Sequence, residues 1–341
     1  MEYKIVMESI DKYVQDNYGI KVTQEEKIKN VYKIRSGNRF YCLKIIKYEF
    51  QHFNFIVSAI EHLINKGFNK IPPIITTLKG EKYIPINKNY AYLTSWVNAR
   101  ESNYDNPYDL YLAIITLAEL HKCSEGFTLN KNMKPRVGWF RWISNFETRT
   151  NEILDFKNRI SQKAKKSEFD VIYLSLMDKE LKIAESAINN LKNSNYLSVM
   201  NKEFFKRGFC HHDFAHHNVL IDSHSNVSVI DFDYCILDSY LHDLSSLMLR
   251  SMKNGKWELE KAKFILNNYS NIKDIEDEHI PLMAAFMEFP QDYWQVGLQY
   301  YWEQQNWEEK FFISKLKKIK EDLEDKEDFI NEFKLYKLNG G

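Results

Sequence analysis

The sequence lacks the marks of several large protein classes. Cysteine is scarce: Cys42, Cys123, Cys210 and Cys235 are widely spaced, form no paired zinc spacing and imply no disulfide framework, so a reduced, cytosolic setting is the simplest account. Only 11 glycines and 7 prolines occur in 341 residues, and neither a low-complexity linker nor an internal repeat is present. Nowhere do 18 apolar residues run together, so no membrane span is expected. Met1 to Gln15 alternates charge with Ile5, Met7, Ile10 and Val14; it has no apolar core or small-residue cleavage site and reads as a surface helix, not a signal peptide. Charge of one sign is missing too. Lys+Arg and Asp+Glu number 47 each, which recommends neither a nucleic-acid partner nor an acidic disordered tail.

Aromatic residues are plentiful. With 21 Tyr and 22 Phe the chain favours a packed globule, and 341 residues suffice for two lobes with cores of their own. Tyr32, Ile34, the turn Ser36-Gly37-Asn38, then Phe40, Cys42, Leu43 and Ile45 read as a hairpin, with Lys44 inside its second strand. Flanked by Leu43, Ile45 and Ile46, Lys44 suits a cation that holds phosphates; the plainer reading is an exposed strand lysine. Phe50 to Asn65 carries apolar residues at helical spacing and ends at Lys66-Gly67. Two short strands follow, Lys82 to Ile86 and Tyr90 to Trp96, and Trp96-Val97-Asn98 leads out of this small antiparallel sheet. Helices are then expected over Pro107–Cys123, most of Phe146–Phe205, Asp243–Met252, Trp257–Tyr269, Ile280–Glu288, Gln291–Glu308 and Lys310–Asn331. The charge run Lys157 to Lys166 reads as a solvated helix face or loop.

The densest chemistry lies between His211 and Asp233. His211-His212-Asp213-Phe214-Ala215-His216-His217-Asn218 is followed by an apolar strand Val219–Ile221, a turn Ser223–Asn226, a returning strand Ser228–Ile230, and then Asp231-Phe232-Asp233. The hairpin would bring Asp231 back beside Asn218. Phosphoryl transfer requires a carboxylate at the acceptor hydroxyl and oxygen ligands for magnesium, and Asp213, Asn218 and Asp231 fill those posts. Two other readings stand beside this one. His211, His212, His216 and His217 would form a metal site if the segment were helical and put His212 and His216 on one face. Alternatively, the aspartates only cap turns and satisfy buried donors. In the first reading Lys44 faces Asp213, Asn218 and Asp231 across a cleft between the lobes.

On these residues the chain resembles the aminoglycoside phosphotransferase and choline kinase-like branch of the protein-kinase-like fold, and within it the CotS-type spore coat proteins, over nearly its whole length. His211-His212-Asp213 with Asn218 is similar to that family's catalytic loop, Ile230-Asp231-Phe232-Asp233 to its metal motif, and Tyr41-Cys42-Leu43-Lys44 to its nucleotide-binding lysine strand. Tyr92 to Trp96 with Asn98-Ala99-Arg100 resembles the hinge, Leu117 to His121 the first long helix of the larger lobe, and His242-Asp243-Leu244 the Asp-Leu after the metal motif. Lys66-Gly67-Phe68, Ile71-Pro72, the helical insert before the catalytic loop, and Phe289-Pro290 with Tyr300-Tyr301-Trp302 point to the spore coat group.

The resemblance implies an α+β, two-lobed protein-kinase-like fold, with a sheet lobe over residues 1–96 and a helical lobe over 97–341. It implies ATP or GTP with Mg2+. Lys44 contacts the phosphates, the backbone of Leu93, Thr94 and Ser95 binds the base, Asn218 and Asp231 hold the metal, and Asp213 takes the proton of a small-molecule hydroxyl. His211 then braces the loop, Asp233 assists the metal and Asp243 supports the loop by hydrogen bonds. Glu288 and Asp292 near Phe289, Tyr293 and Trp294 would receive a cationic or sugar-like acceptor, or else are core packing with solvated carboxylates. Cytoplasmic residence or incorporation into a spore coat beside other coat proteins follows, with no membrane partner. Three departures mark the chain: the phosphate turn has one glycine, Ile56 stands where the helix usually offers Lys44 a glutamate (Glu49 and Glu61 being the nearest), and His217 precedes Asn218 where small residues are usual. They support an alternative, a catalytically weak or inactive assembly component of the coat. A histidine-based metal-dependent hydrolase is the third reading.

Overall fold

Alternating apolar residues in the first hundred positions produce a sheet, and 3.6-residue periodicity after them produces helices. The computed structural model describes residues 9–338, so the start of the expected N-terminal helix lies outside the described residues. The first elements are α1 (Ile10–Tyr18), β1 (Gln24–Ile28), β2 (Val31–Ser36), β3 (Arg39–Ile46), α2 (Phe50–Asn65), β4 (Ile74–Ile75), β5 (Ile84–Ile86) and β6 (Asn89–Ser95). The strands form one antiparallel sheet in the order β1-β2-β3-β6-β4, with β5 also on β6. Gly37, at φ 59°, makes the tight turn between β2 and β3, a conformation a side chain would strain. The edge strand β1 was not legible in advance: Gln24-Glu25-Glu26-Lys27 is exposed and polar on both faces, a pattern that blunts an open edge but carries no apolar alternation.

The two faces of the sheet serve different ends. Ile34, Leu43, Ala91 and Leu93 meet Val14 and Tyr18 of α1 on one face. Alternation then puts Lys44, Ile46 and Tyr92 on the other, where α2 buries Phe53, Ile56, Ile60 and Leu63 in a core continuous with the second lobe. Fully burying an apolar side chain of this kind contributes about 1.5–3 kcal/mol, which fixes α2 to both lobes.

The remaining elements are β7 (Arg100–Glu101), α3 (Pro107–Ser124), β8 (Arg136–Val137), α4 (Trp142–Ser161), α5 (Glu168–Lys192), α6 (Tyr196–Lys206), β9 (Val219–Ile221), β10 (Val227–Val229), β11 (Ile236–Leu237), α7 (Leu241–Met252), α8 (Leu259–Ser270), α9 (His279–Glu288), α10 (Gln291–Tyr301) and α11 (Glu309–Phe333). Asn106 caps α3, its Oδ1 accepting from Tyr108 N at 2.9 Å, with Pro107 in the first turn where no N–H is needed. A capping box of Ser167 and Asp170 starts α5, so the charge run Lys157–Lys166 spans the end of α4 and the link onward. Phe156, Phe169, Tyr173, Tyr293, Tyr301 and Phe312 form a separate aromatic core among α4, α5, α10 and α11.

Several expected boundaries shift, most by a residue or two, and two of the shifts have a visible cause or consequence. The helix read over Gln291–Glu308 stops at Tyr301, because Glu303-Gln304-Gln305-Asn306 offers no apolar side chain to hold a further turn against the lobe, and Gln304 takes φ 48°. The returning hairpin strand is Val227–Val229, one residue earlier than expected, with Val229 opposite Val219.

Candidate active site

The loop from His211 to Asn218 is held by side chains beneath it. Asp243, fully buried near the start of α7, accepts from His211 N at 2.7 Å and His212 N at 2.9 Å. His121 of α3 adds its Nε2 at 3.3 Å, and Tyr269 OH lies 2.7 Å from the other ring nitrogen. Burial alone would raise the Asp243 pKa, but the hydrogen bond from His121 and the His242 ring 3.6 Å away hold it well below the usual carboxylate range. The carboxylate therefore stays ionised and pins two consecutive backbone amides.

His211 is completely buried. Its Nε2 lies 2.9 Å from Ile230 O, an acceptor only, so Nε2 carries the proton and Nδ1 accepts from Asp213 N at 3.3 Å. Burial lowers its pKa and keeps this neutral tautomer. One imidazole thus ties the loop to the end of β10. Ile230 N also donates to Asn218 O at 3.0 Å, which brings Asp231 beside Asn218.

Asn218, itself 3% exposed, donates its amide to Asp213 O at 2.9 Å and to Asp213 Oδ2 at 3.1 Å. Both are Nδ2 donations, so Oδ1 turns the other way. Arg250 donates to the remaining carboxylate oxygen, Asp213 Oδ1, at 2.8 Å. His217 Nε2 lies 3.9 Å from Asp213 Oδ2 on the exposed side.

Lys44 reaches the same region from β3. Its Nζ donates to Asp231 Oδ1 at 2.6 Å, and Asp233 Oδ1 lies 2.7 Å away without hydrogen-bond alignment, an ion pair held by charge alone. Burial pushes the Lys44 pKa down, but Tyr92, Asp233 and Asp231 outweigh it and raise the group overall. Burial works the opposite way on Asp231, where Lys44 wins and the pKa falls; at Asp233 burial and the neighbouring Asp231 prevail and it rises. No carboxylate of α2 takes part: Glu49 faces Lys134 at 3.7 Å, and Glu61 pairs with Lys82. Ile56 is packed in the core.

Two of the nine positive-φ non-glycine residues among the described ones lie here. His212 and Asp231 sit at φ 68° and 66°, where a non-glycine residue costs on the order of 1–3 kcal/mol. Asp243 and a ring stack on His242 at 4.4 Å hold the first, and Lys44 holds the second.

The three residues of the base-binding expectation differ in which way their backbone edges turn. Trp96 N donates to Phe40 O at 2.9 Å, so by antiparallel alternation Thr94 also turns its polar edge to β3. Leu93 turns the other way and is covered by Ile75 of β4. Both edges are spent in the ladder. Ser95, exposed beyond the end of β4, offers the first open edge.

A cavity of about 940 Å³ opens beside Asp213, lined by His212 and Arg250 and running between α4, α5, α9, α10 and α11. Glu288, Phe289, Asp292 and Tyr293 line it as expected, whereas Trp294 instead receives the guanidinium of Arg149. The four histidines do not converge. His211 is buried, His212 stacks on His242, and His216 and His217 sit in an exposed 3-10 turn; among the described residues they form no metal-ligand group.

Arg250 and Arg149 escaped sequence reading, as did Glu180, which lines the cavity while only 3% exposed. For Arg250 a signal existed. It lies seven residues after Asp243, two helical turns or about 10 Å along the same face of α7, so a helix whose Asp243 supports the loop also presents position 250 to it.

The arrangement matches known folds. An aminoglycoside phosphotransferase from Alicyclobacillus acidocaldarius superposes with a TM-score of 0.83 at 20% identity, covering 96% of each chain. A spectinomycin phosphotransferase in complex with ADP and spectinomycin gives 0.66 at 15%, covering 94% of this chain and 96% of that one. The choline kinase LicA from Streptococcus pneumoniae gives 0.52 at 13%, covering 95% and 98%. At these identities the likeness establishes the fold, the two-lobed kinase-like one. No curated protein matches. The model of one protein family, described as "Spore coat putative kinase YutH", matches residues 11–333.

Proposed function

The chain belongs to the spore coat putative kinase YutH family, and on that premise we propose that it is an ATP- and Mg2+-dependent phosphotransferase acting on a small-molecule hydroxyl. The observation that carries this reading is Asp213. Its carboxylate is gripped by Asn218 and Arg250 at the edge of a large cavity, with the Lys44, Asp231 and Asp233 cluster beside it. Nucleotides named in the neighbours' structures, ADP with the spectinomycin enzyme and AMP-PNP with an amicoumacin kinase, support a nucleotide in the cleft.

In this reading the acceptor hydroxyl gives its proton to Asp213 as its oxygen attacks the γ-phosphorus of ATP (or GTP); the bond to the β-phosphate oxygen breaks and the diphosphate leaves. Lys44 holds the nucleotide phosphates, and the base edge meets Ser95 and the residues after it. Magnesium suits the donor set: the Asp231 carboxylate and Asn218 Oδ1 are hard oxygen ligands, with Asp233 assisting, and both carboxylates already converge on the Lys44 cation. When bound, the ion neutralises phosphate charge. We set the lobe boundary at residues 96 and 97. The protein works in the cytoplasm or becomes part of a spore coat with other coat proteins.

The test is transfer from γ-labelled ATP to a panel of sugars, amino alcohols and spore extracts. Label in an acceptor, abolished by Asp213→Asn, supports the reading; transfer undiminished in that variant would falsify the role of Asp213. A second reading, a coat assembly component without turnover, has its own observation: Lys44 is seated on both metal-motif carboxylates and has no helix glutamate to draw it away. Mg-ATP that fails to raise the melting temperature at millimolar concentration favours it.

A further inference from the structure

The cavity beside Asp213 carries a charge pattern that phosphoryl transfer alone does not require. Seven lysine and arginine side chains line it against six carboxylates, and the partnering of these groups decides which charge is left over. Asp213 faces Arg250 at 2.8 Å, Glu327 faces Lys179 at 3.0 Å and Asp292 faces Lys253 at 3.8 Å. Glu288 accepts from Asn190 at 2.7 Å and Asp322 from Gly255 N at 2.6 Å. The sixth, Glu180, has a buried Oε1 with no partner, and burial raises its pKa to about 7, so near neutrality much of it is the uncharged acid. Three of the five ionised carboxylates are thus paired with a lining cation, while Glu288 and Asp322 keep their charge beside neutral donors.

Seven lining cations stand against those five charges, so positive charge is in excess. Arg149, Lys182, Lys326 and Lys334 have no carboxylate within 4 Å among the described residues. Arg149 is the one built as a binding group. Its guanidinium stacks on Trp294, 4.6 Å from the ring centroid, and donates to Gln291 Oε1 at 2.7 Å. These two contacts fix the plane of the fork and leave most of its five N–H donors unengaged. Its field reaches the catalytic loop: burial first, then His242, Arg136 and Arg149, push His212 down to about 3, so that ring is neutral. An ordered guanidinium lining the same cavity as a neutral imidazole and an already paired Arg250 is suited to a planar or tetrahedral oxyanion.

We propose that Arg149, with Arg250 beside Asp213, selects an acceptor that bears an anionic group, a carboxylate or a phosphate monoester, in addition to the hydroxyl that is phosphorylated. This rests on the kinase reading for the cavity's role, although the anion site itself does not. An ammonium-bearing acceptor fits less well, because the lining carries more cations than ionised carboxylates.

Calorimetric titration of the full chain, with and without Mg-ADP, tests this with D-gluconate and D-glucose 6-phosphate against choline and D-glucosamine. One or both acids bind, and which one does separates carboxylate from phosphate recognition. Arg149→Gln weakens that binding at least tenfold with Mg-ADP affinity unchanged, which also reports that the variant is folded; Arg149→Lys recovers only part, because it keeps the charge and loses the fork. Binding of the amines in place of the acids, retention of neither acid, or unchanged acid binding in Arg149→Gln overturns the proposal. Mg-ADP binding without acid binding removes this inference alone, whereas acid binding that depends on Arg149 with no nucleotide binding removes the kinase reading and leaves the anion site.

Discussion

The two sides of the cleft are built by different means. On the helical side the loop around Asp213 is fixed from three elements: by Asp243 and Arg250 of α7, by His121 of α3 through Asp243, and by the β10 end through His211. On the sheet side, the parts proposed to face a nucleotide are one lysine, a turn with one glycine and the exposed edge at Ser95. Lys44 finds both counter-ions across the cleft and none on α2. The difference teaches that the helical side is preorganised by its own hydrogen bonds, while the sheet side borrows its electrostatics from the helical side; in the proposed function these are the transfer half and the nucleotide half. Position and charge at Asp213 thus depend little on the sheet lobe, whereas nucleotide affinity depends on the metal motif.

The comparison breaks most visibly at the reacting group. Asp213→Asn removes the proton acceptor and lowers transfer by on the order of 10²–10⁴-fold, read in a labelled-phosphate assay, with nucleotide affinity kept. Next comes the support. Asp243→Asn turns an N–H toward an amide it now accepts from and destabilises the fold by roughly 3 kcal/mol in denaturant melts, with transfer falling in step.

The cavity floor on the helical side supplies a pH test. Glu180 is raised from 4.5 to about 7 by burial, so its neutral form belongs to the fold. The stability it contributes is complete below its unfolded pKa and is lost as pH rises through its folded one, on the order of 3 kcal/mol between acid and mildly alkaline conditions. Glu180→Gln flattens that slope; melts at pH 5 and pH 8 that remain parallel to wild type would contradict it. Smallest is Lys44→Met, which leaves two carboxylates facing each other. A buried pair broken this way costs about 3–5 kcal/mol, and roughly 2 is expected here because the Asp231 side chain is 35% exposed.

The helical side was also the more legible in sequence. Asp213, Asn218 and Asp231 are local in the chain and joined by a hairpin whose apolar alternation is plain, and Asp243 follows closely enough to be read as support. Arg250 could have been inferred from its helical spacing to Asp243. Arg149 and Glu180 could not, since a charged residue on an amphipathic helix looks the same whether it faces water or a cavity. On the sheet side, Lys44 could be placed on its strand, but its partners could not, because Asp231 lies 187 residues away. Which of Leu93, Thr94 and Ser95 keeps an open backbone edge was hidden for a similar reason. A two-residue strand such as β4 leaves almost no signal, yet it decides which edges of β6 are spent.

The most direct measurement is a calorimetric titration of the full chain with ATP, with and without Mg2+, repeated on Lys44→Met and Asp231→Asn. The account predicts saturable, magnesium-dependent binding in the wild type that both variants lose, since nucleotide affinity is borrowed from the metal motif. Absence of binding at millimolar nucleotide, or binding indifferent to both Mg2+ and Asp231, would contradict it.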